Sequence, residues 1–158
     1  SPKALARLGD ETLAERAWRT LGEACDQRLA VGKADDGLEL PFALRDDASD
    51  VRAPLAGVVA GLRAAPTEVA IMLPIDTPLV PPELLCELAD ACAEAAVTQT
   101  GPLPAAFRKS ALPVLERRLG EGRLTLHEAL AELDTRTVEV DEMLLANVNT
   151  PDDLRRLG

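Results

Sequence analysis

Five consecutive apolar residues, Val69-Ala70-Ile71-Met72-Leu73, end at Pro74. A short run without polar alternation predicts a central strand buried on both faces. Such a strand needs a covering layer on each side. It therefore points to a sheet packed between helices rather than to a helical bundle or a one-sided β-sheet.

The surrounding sequence supplies those layers. Thr12-Leu13-Ala14-Glu15 has the form of a capping box, so a helix is predicted to start near Leu13. Its apolar face would carry Leu13, Ala17, Trp18 and Leu21, and its polar face Glu15, Arg16, Arg19 and Glu23. Arg28 to Val31 reads as a short buried strand ended by Gly32, and Lys33 to Gly37 as a turn. Leu40 to Leu44 reads as a second strand despite Pro41, followed by a polar loop from Asp46 to Ala53. Pro54 opens a helix with Leu55, Val58, Val59 and Leu62 facing inward. Pro81 and Pro82 open another, with Leu84, Leu85, Leu88 and Cys92 inward and Glu83, Glu87, Asp90 and Glu94 outward.

Weaker strand signals lie at Ala96 to Gln99 and Ala105 to Phe107. Helices are predicted near 111–119 and 126–133, the second behind the capping box Thr125-Leu126-His127-Glu128. Thr137 to Val140 reads as a strand. Thr150-Pro151-Asp152-Asp153 combines a cap, a proline at the first helical position and acids in the first turn, so a last helix begins there. Strands alternating with helices give an α/β fold: an open, mostly parallel sheet with helices on both faces.

Length and composition narrow the function. The 158 residues suit one domain with a sizeable core. The net charge of −10 disfavours a DNA or RNA polymer as partner. A small nucleotide is still compatible, since backbone amides, a few cations and a metal ion can hold it. Aromatics make up only 2%, which leaves few rings for stacking a base. Cys25, Cys86 and Cys92 form no CxxC pair and read as buried thiols of a cytoplasmic protein. No stretch approaches the length of a membrane span. His127 is the lone histidine, which disfavours a histidine-rich zinc site or a Ser-His-Asp triad.

In an open α/β sheet, ligands bind beyond the carboxyl ends of the strands. Asp76, in Pro74-Ile75-Asp76-Thr77-Pro78, follows the most apolar strand and reads either as a ligand for a hard cation or as a turn cap. Asp46 follows the second strand and reads as a base- or sugar-binding carboxylate or as solvated loop. Gly57, in Ala53-Pro54-Leu55-Ala56-Gly57, allows close approach of a ligand or of the sheet. Lys3 offers a point charge to phosphate, or is simply solvated. Asn147 and Asn149 follow the last strand, where they can contact a ligand or organise the turn.

Taken in order, Lys3-Ala4-Leu5, Asp46, Pro54-Leu55-Ala56-Gly57, Asp76-Thr77-Pro78 with Pro81-Pro82-Glu83-Leu84-Leu85, and Asn147-Val148-Asn149-Thr150-Pro151-Asp152-Asp153-Leu154 resemble the molybdenum cofactor guanylyltransferases (MobA-like). These belong to the nucleotidyltransferases of Rossmann-like fold, and the likeness spans nearly the whole chain. The resemblance implies transfer of GMP from GTP to the terminal phosphate of molybdopterin, with release of pyrophosphate. It implies that Asp76 holds Mg²⁺, that Lys3 neutralises phosphate, and that Asp46 reads guanine. Gly57 would allow the nucleotide close, and Asn147 and Asn149 would line the acceptor or metal side. It further implies transient contact with molybdoenzyme maturation proteins.

The family opens with a strand and a Leu-Ala-Gly-Gly-type loop bearing a following arginine. Ser1 stands just after the point where that loop would end. The first strand and glycine-rich loop are thus absent from these 158 residues, implying an upstream segment or a degenerate relative. Leu103-Pro104 also departs from the polar residue that relatives often place before a proline there. Cytidylyl transfer to molybdopterin, guanylyl transfer to phospholactate and a non-catalytic nucleotide-binding module are the competing readings.

Overall fold

The computed structural model describes residues 5–25, 30–32, 44–46, 54–148 and 150–157, with the backbone alone at 30–32 and 44–46. The chain enters through a hairpin, β1 (Arg7–Leu8) and β2 (Glu11–Thr12), which turns at Gly9 with φ +65°. A side chain there would be strained, and glycine is not. The hairpin is an addition to the elements expected from the sequence, and its signal is the Gly9-Asp10 pair between two very short strands.

Helix α1 (Leu13–Ala24) follows directly, and the predicted capping box is present. The Glu15 N–H donates to Thr12 Oγ1 at 3.1 Å, and the Thr12 N–H donates to Glu15 Oε1 at 2.9 Å. The next strands, β3 (Ala30–Gly32) and β4 (Leu44–Asp46), pair in parallel with Gly32 opposite Asp46. Asp46 thus closes a strand rather than opening the polar loop, because pairing with Gly32 extends the strand past Leu44. Residues 40–43 of the expected strand lie outside the described residues.

Helix α2 (Pro54–Ala64) buries Leu55, Val58, Val59 and Leu62 as its periodicity predicts. It packs against β3 and β5 (Val69–Met72). Helix α3 (Pro82–Ala91) has Pro82 at its first position and buries Leu84, Leu85 and Leu88. Strands β6 (Ala95–Thr98), β7 (Gly101–Arg108) and β8 (Thr135–Val138) complete a four-stranded sheet in the order β5-β7-β6-β8. Between β7 and β8 run α4 (Leu112–Gly120) and α5 (Leu126–Ala131), and α6 (Pro151–Leu157) ends the described chain.

The α/β fold is as expected, with two refinements. Strand β7 runs antiparallel to β5 and β6, while β6 and β8 are parallel, so β5, β6 and β8 share one direction and β7 opposes them. Strand β5 lies at the end of this described sheet and is half-buried along its length, not central. Its apolarity serves helix packing on both sides: Ala70 and Met72 pack with α2, while Val69 and Ile71 pack with α3.

Three other expectations are corrected. Thr125 is the N-cap of α5 but makes no side-chain cap hydrogen bond, so the second capping box does not form. The thiols are not uniformly buried: Cys92 is, Cys25 is half-buried and Cys86 is exposed on α3. Arg16 does not project into solvent from the polar face of α1; its partner lies 62 residues along the chain.

Candidate functional site

The carboxyl end of β5 carries the chain into Leu73-Pro74-Ile75-Asp76-Thr77-Pro78. Proline cannot extend the ladder, so Pro74 releases the backbone into a turn. Asp76 sits in that turn and is half-buried. The turn is held from three sides. The Val148 N–H donates to the Asp76 carbonyl oxygen at 2.7 Å. The Val80 N–H donates to the Thr77 carbonyl oxygen at 3.3 Å. From α1, Arg16 Nε donates to the Pro78 carbonyl oxygen at 2.6 Å.

The Val148 bond brings two predicted segments together. Asn147 is exposed beside the buried Val148, and so stands next to the Asp76 turn in the fold. Val148, Leu8 and Leu13 form a small apolar cluster against which Ala6, Ile75 and Leu154 pack. The segment that follows Lys3 is therefore anchored beside the residue that precedes Asp76. Lys3 and Asn149 themselves lie outside the described residues, and of Asp46 the backbone alone is described. Gly57 is half-buried in the first turn of α2, and a Cβ there would meet no described atom within 4 Å. Among the described residues, nothing packs tightly against this glycine.

A cavity of about 10 Å³ lies between α1 and the turn, lined by Leu13, Arg16, Thr20, Leu73, Ile75 and Thr77 among others. That is room for about one water and far too little for a nucleotide. It belongs to the support of the turn rather than to substrate.

Among the described residues, no group of three or more His, Cys, Asp or Glu side chains converges to hold a metal. A structural zinc or an all-protein calcium cage is therefore not built there. A half-buried carboxylate at a strand end suits a different demand. Mg²⁺ takes one or two carboxylates and completes its shell with substrate phosphates and water. Asp76 fits that role. Among the described residues, no helix is long and apolar enough to cross a membrane.

Arg16 is the residue that sequence reasoning missed. Helical spacing sets it on the face opposite Leu13 and Leu21, and its target is a backbone carbonyl that has no sequence signature. It is 28% exposed, and its Nη1 lies 3.7 Å from Glu11 Oε1. Glu11 also receives Arg19 Nε at 2.8 Å and Arg19 Nη2 at 3.0 Å. That paired bond from Arg19 holds the Glu11 carboxyl below the usual glutamate range.

Comparison with known proteins bears on the same region. A family model described as a MobA-like NTP transferase domain matches residues 1–137. A molybdenum cofactor guanylyltransferase from Pseudomonas putida is 32% identical over 165 residues, covering 97% of this chain and 86% of its own length. Molybdopterin-guanine dinucleotide biosynthesis protein A from Archaeoglobus fulgidus superposes with a TM-score of 0.80 at 24% identity, over 98% of this chain and 88% of that one. A Mycobacterium tuberculosis H37Rv protein solved in complex with manganese gives 0.65 at 22% identity, over 99% and 90% of the two chains.

Proposed function

The chain belongs to the family of MobA-like NTP transferases, and from that premise we propose that it transfers GMP from GTP to the phosphate of molybdopterin, releasing pyrophosphate and forming the guanine dinucleotide cofactor. The observation that carries this reading is the likeness to a molybdenum cofactor guanylyltransferase across nearly the whole chain. We read residues 1–158 as one nucleotidyltransferase domain acting on two small substrates, GTP and molybdopterin.

The geometry supports a division of labour. Asp76 binds a divalent cation, which we take to be Mg²⁺. When bound, such an ion neutralises charge on the phosphate oxygens. The Val148 and Arg16 hydrogen bonds hold the backbone at Asp76 itself and two residues beyond it. Lys3 adds a point charge for phosphate. Asp46, at the carboxyl end of β4, accepts from N1–H and the exocyclic amine of guanine, a pattern that adenine does not offer. The space over Gly57 lets the nucleotide approach α2. We assign Asn147 and Asn149 to the acceptor or metal side. Little covalent chemistry is asked of the protein, so its contribution is positioning and charge stabilisation.

A calorimetric titration with GTP, CTP and ATP in the presence of Mg²⁺ tests the base assignment. Tightest binding of GTP is expected. Preference for CTP moves the assignment to cytidylyl transfer, and binding of none of the three contradicts the reading.

A further inference from the structure

We infer that Arg16 is a positioning residue that fixes the turn bearing Asp76 and so sets the affinity of the site for its divalent cation. The inference rests on the reading of Asp76 as the metal ligand. Four observations carry it. Arg16 Nε donates to the Pro78 carbonyl oxygen at 2.6 Å, two residues beyond Asp76, from a helix 62 positions away in sequence. The Thr77 side chain, between the two, is 5% exposed, and its hydroxyl has no hydrogen-bond partner among the described residues. Thr77 thus does not hold the turn through its own side chain. Pro78 has no N–H, so it contributes no backbone donor to steady the segment. Finally, α1 is itself anchored: Glu11 lies 3.7 Å from Arg16 and accepts both bonds from Arg19, and the capping box fixes the first turn.

The arrangement is a brace. The charged guanidinium reaches a neutral carbonyl in a half-buried setting, where a charge-assisted bond is stronger than a neutral one. The other bond that ties the turn to a distant segment comes from Val148, at the Asp76 carbonyl. Removing the Arg16 bond leaves the turn with that tie and its own internal Val80–Thr77 bond alone. A single carboxylate contributes to cation affinity in proportion to how well it is held in place, because the ordering must otherwise be supplied on binding.

The test uses Arg16→Met and Arg16→Lys in the whole protein. Mn²⁺ is titrated in the presence of GTP and followed by water-proton relaxation, and exchange of the Val148 amide is followed by NMR. Arg16→Met is expected to weaken Mn²⁺ binding about tenfold and to speed Val148 exchange by a similar factor, the scale of losing one charge-assisted hydrogen bond. Arg16→Lys, which keeps a donor and a charge, is expected to recover part of both. Unchanged Mn²⁺ affinity in a cooperatively unfolding Arg16→Met protein overturns the inference, whatever the amide does. If Arg16→Met does not fold, the lysine variant decides alone: Mn²⁺ affinity and Val148 exchange intermediate between those of the wild type and Asp76→Ala support the brace, and wild-type values of both overturn it. Should the wild-type protein bind Mn²⁺ yet transfer no GMP, the guanylyltransferase reading fails while the brace is still judged by these titrations.

Discussion

At the scale of single residues, Asp76 and Arg16 illustrate different kinds of legibility. Asp76 stands out in the sequence as a candidate because the carboxyl end of an apolar strand is where an α/β sheet binds ligands, although a carboxylate there can also cap a turn. Arg16 was not, because helical periodicity sorts side chains by neighbours three and four positions away. The Pro78 carbonyl is not among them. Two predictions belong here. Asp76→Ala abolishes Mg²⁺-dependent nucleotidyl transfer and leaves the far-ultraviolet circular dichroism unchanged; turnover retained with Mg²⁺ removes Asp76 from the metal site. Asp46→Ala narrows the preference for GTP over ATP by about tenfold, the order of one lost pair of hydrogen bonds in a polar site. An unchanged ratio of kcat/KM values rejects its role in reading the base.

Helices were read best at the scale of elements, since their signals are local. The cap of α1 formed as its four residues predict, and Thr150 accepts from the Asp153 N–H at 3.1 Å at the start of α6. Thr12→Ala should cost about 1 kcal/mol of stability in chemical denaturation, the usual loss for an N-cap. A change indistinguishable from zero would show that packing alone fixes the start of α1. Strand partners were read less well. Strand β7 was foreseen only at Ala105 to Phe107, because Gly101, Pro102 and Pro104 all disfavour a strand. The structure resolves the conflict by register: the pairing of β7 with β5 starts at Ala105, and its pairing with β6 shifts between Val97 and Thr98. The prolines therefore lie outside the stretch bonded on both sides.

The link between α4 and α5 makes a pH prediction. Arg118 is buried and pairs with Glu128 at 3.2 Å and with Glu132, which Arg117 also reaches. The hydrogen bond from Arg118 holds the Glu132 carboxyl below the ordinary glutamate range. A depressed folded-state value means that the unfolded chain binds the proton more readily. The stabilisation is then complete above the unfolded value of about 4.3 and is lost as pH falls through the lower folded value. Thermal stability should therefore decline below about pH 4, and Glu132→Gln should lower stability at neutral pH while flattening that decline. An equally steep acid limb in the variant would assign the loss to other carboxylates.

Across the whole molecule, β5, β6 and β8 run in one direction, with β7 as the one reversed strand inside the described four-stranded sheet. Phe107 is fully buried on β7, between β5 and β6, and is the largest fully buried side chain among the described residues. Phe107→Ala should destabilise the protein by about 3–5 kcal/mol, the usual loss for truncating a buried aromatic. A smaller loss would mean that the sheet repacks around the gap. The α/β class was readable because strand- and helix-like segments alternate along the chain. The half-buried, terminal place of β5 in the described sheet was not, because an apolar run reports burial but not which strands lie beside it.

The activity assigned to this chain is the joining of GMP to molybdopterin. The most direct test is to incubate the protein with molybdopterin, Mg²⁺ and either GTP or CTP, and to identify the product by mass spectrometry. The guanine dinucleotide is expected from GTP, with one pyrophosphate released per product and no dinucleotide formed by Asp76→Ala. A cytosine dinucleotide from CTP with no guanine product, or no dinucleotide from either, would contradict it.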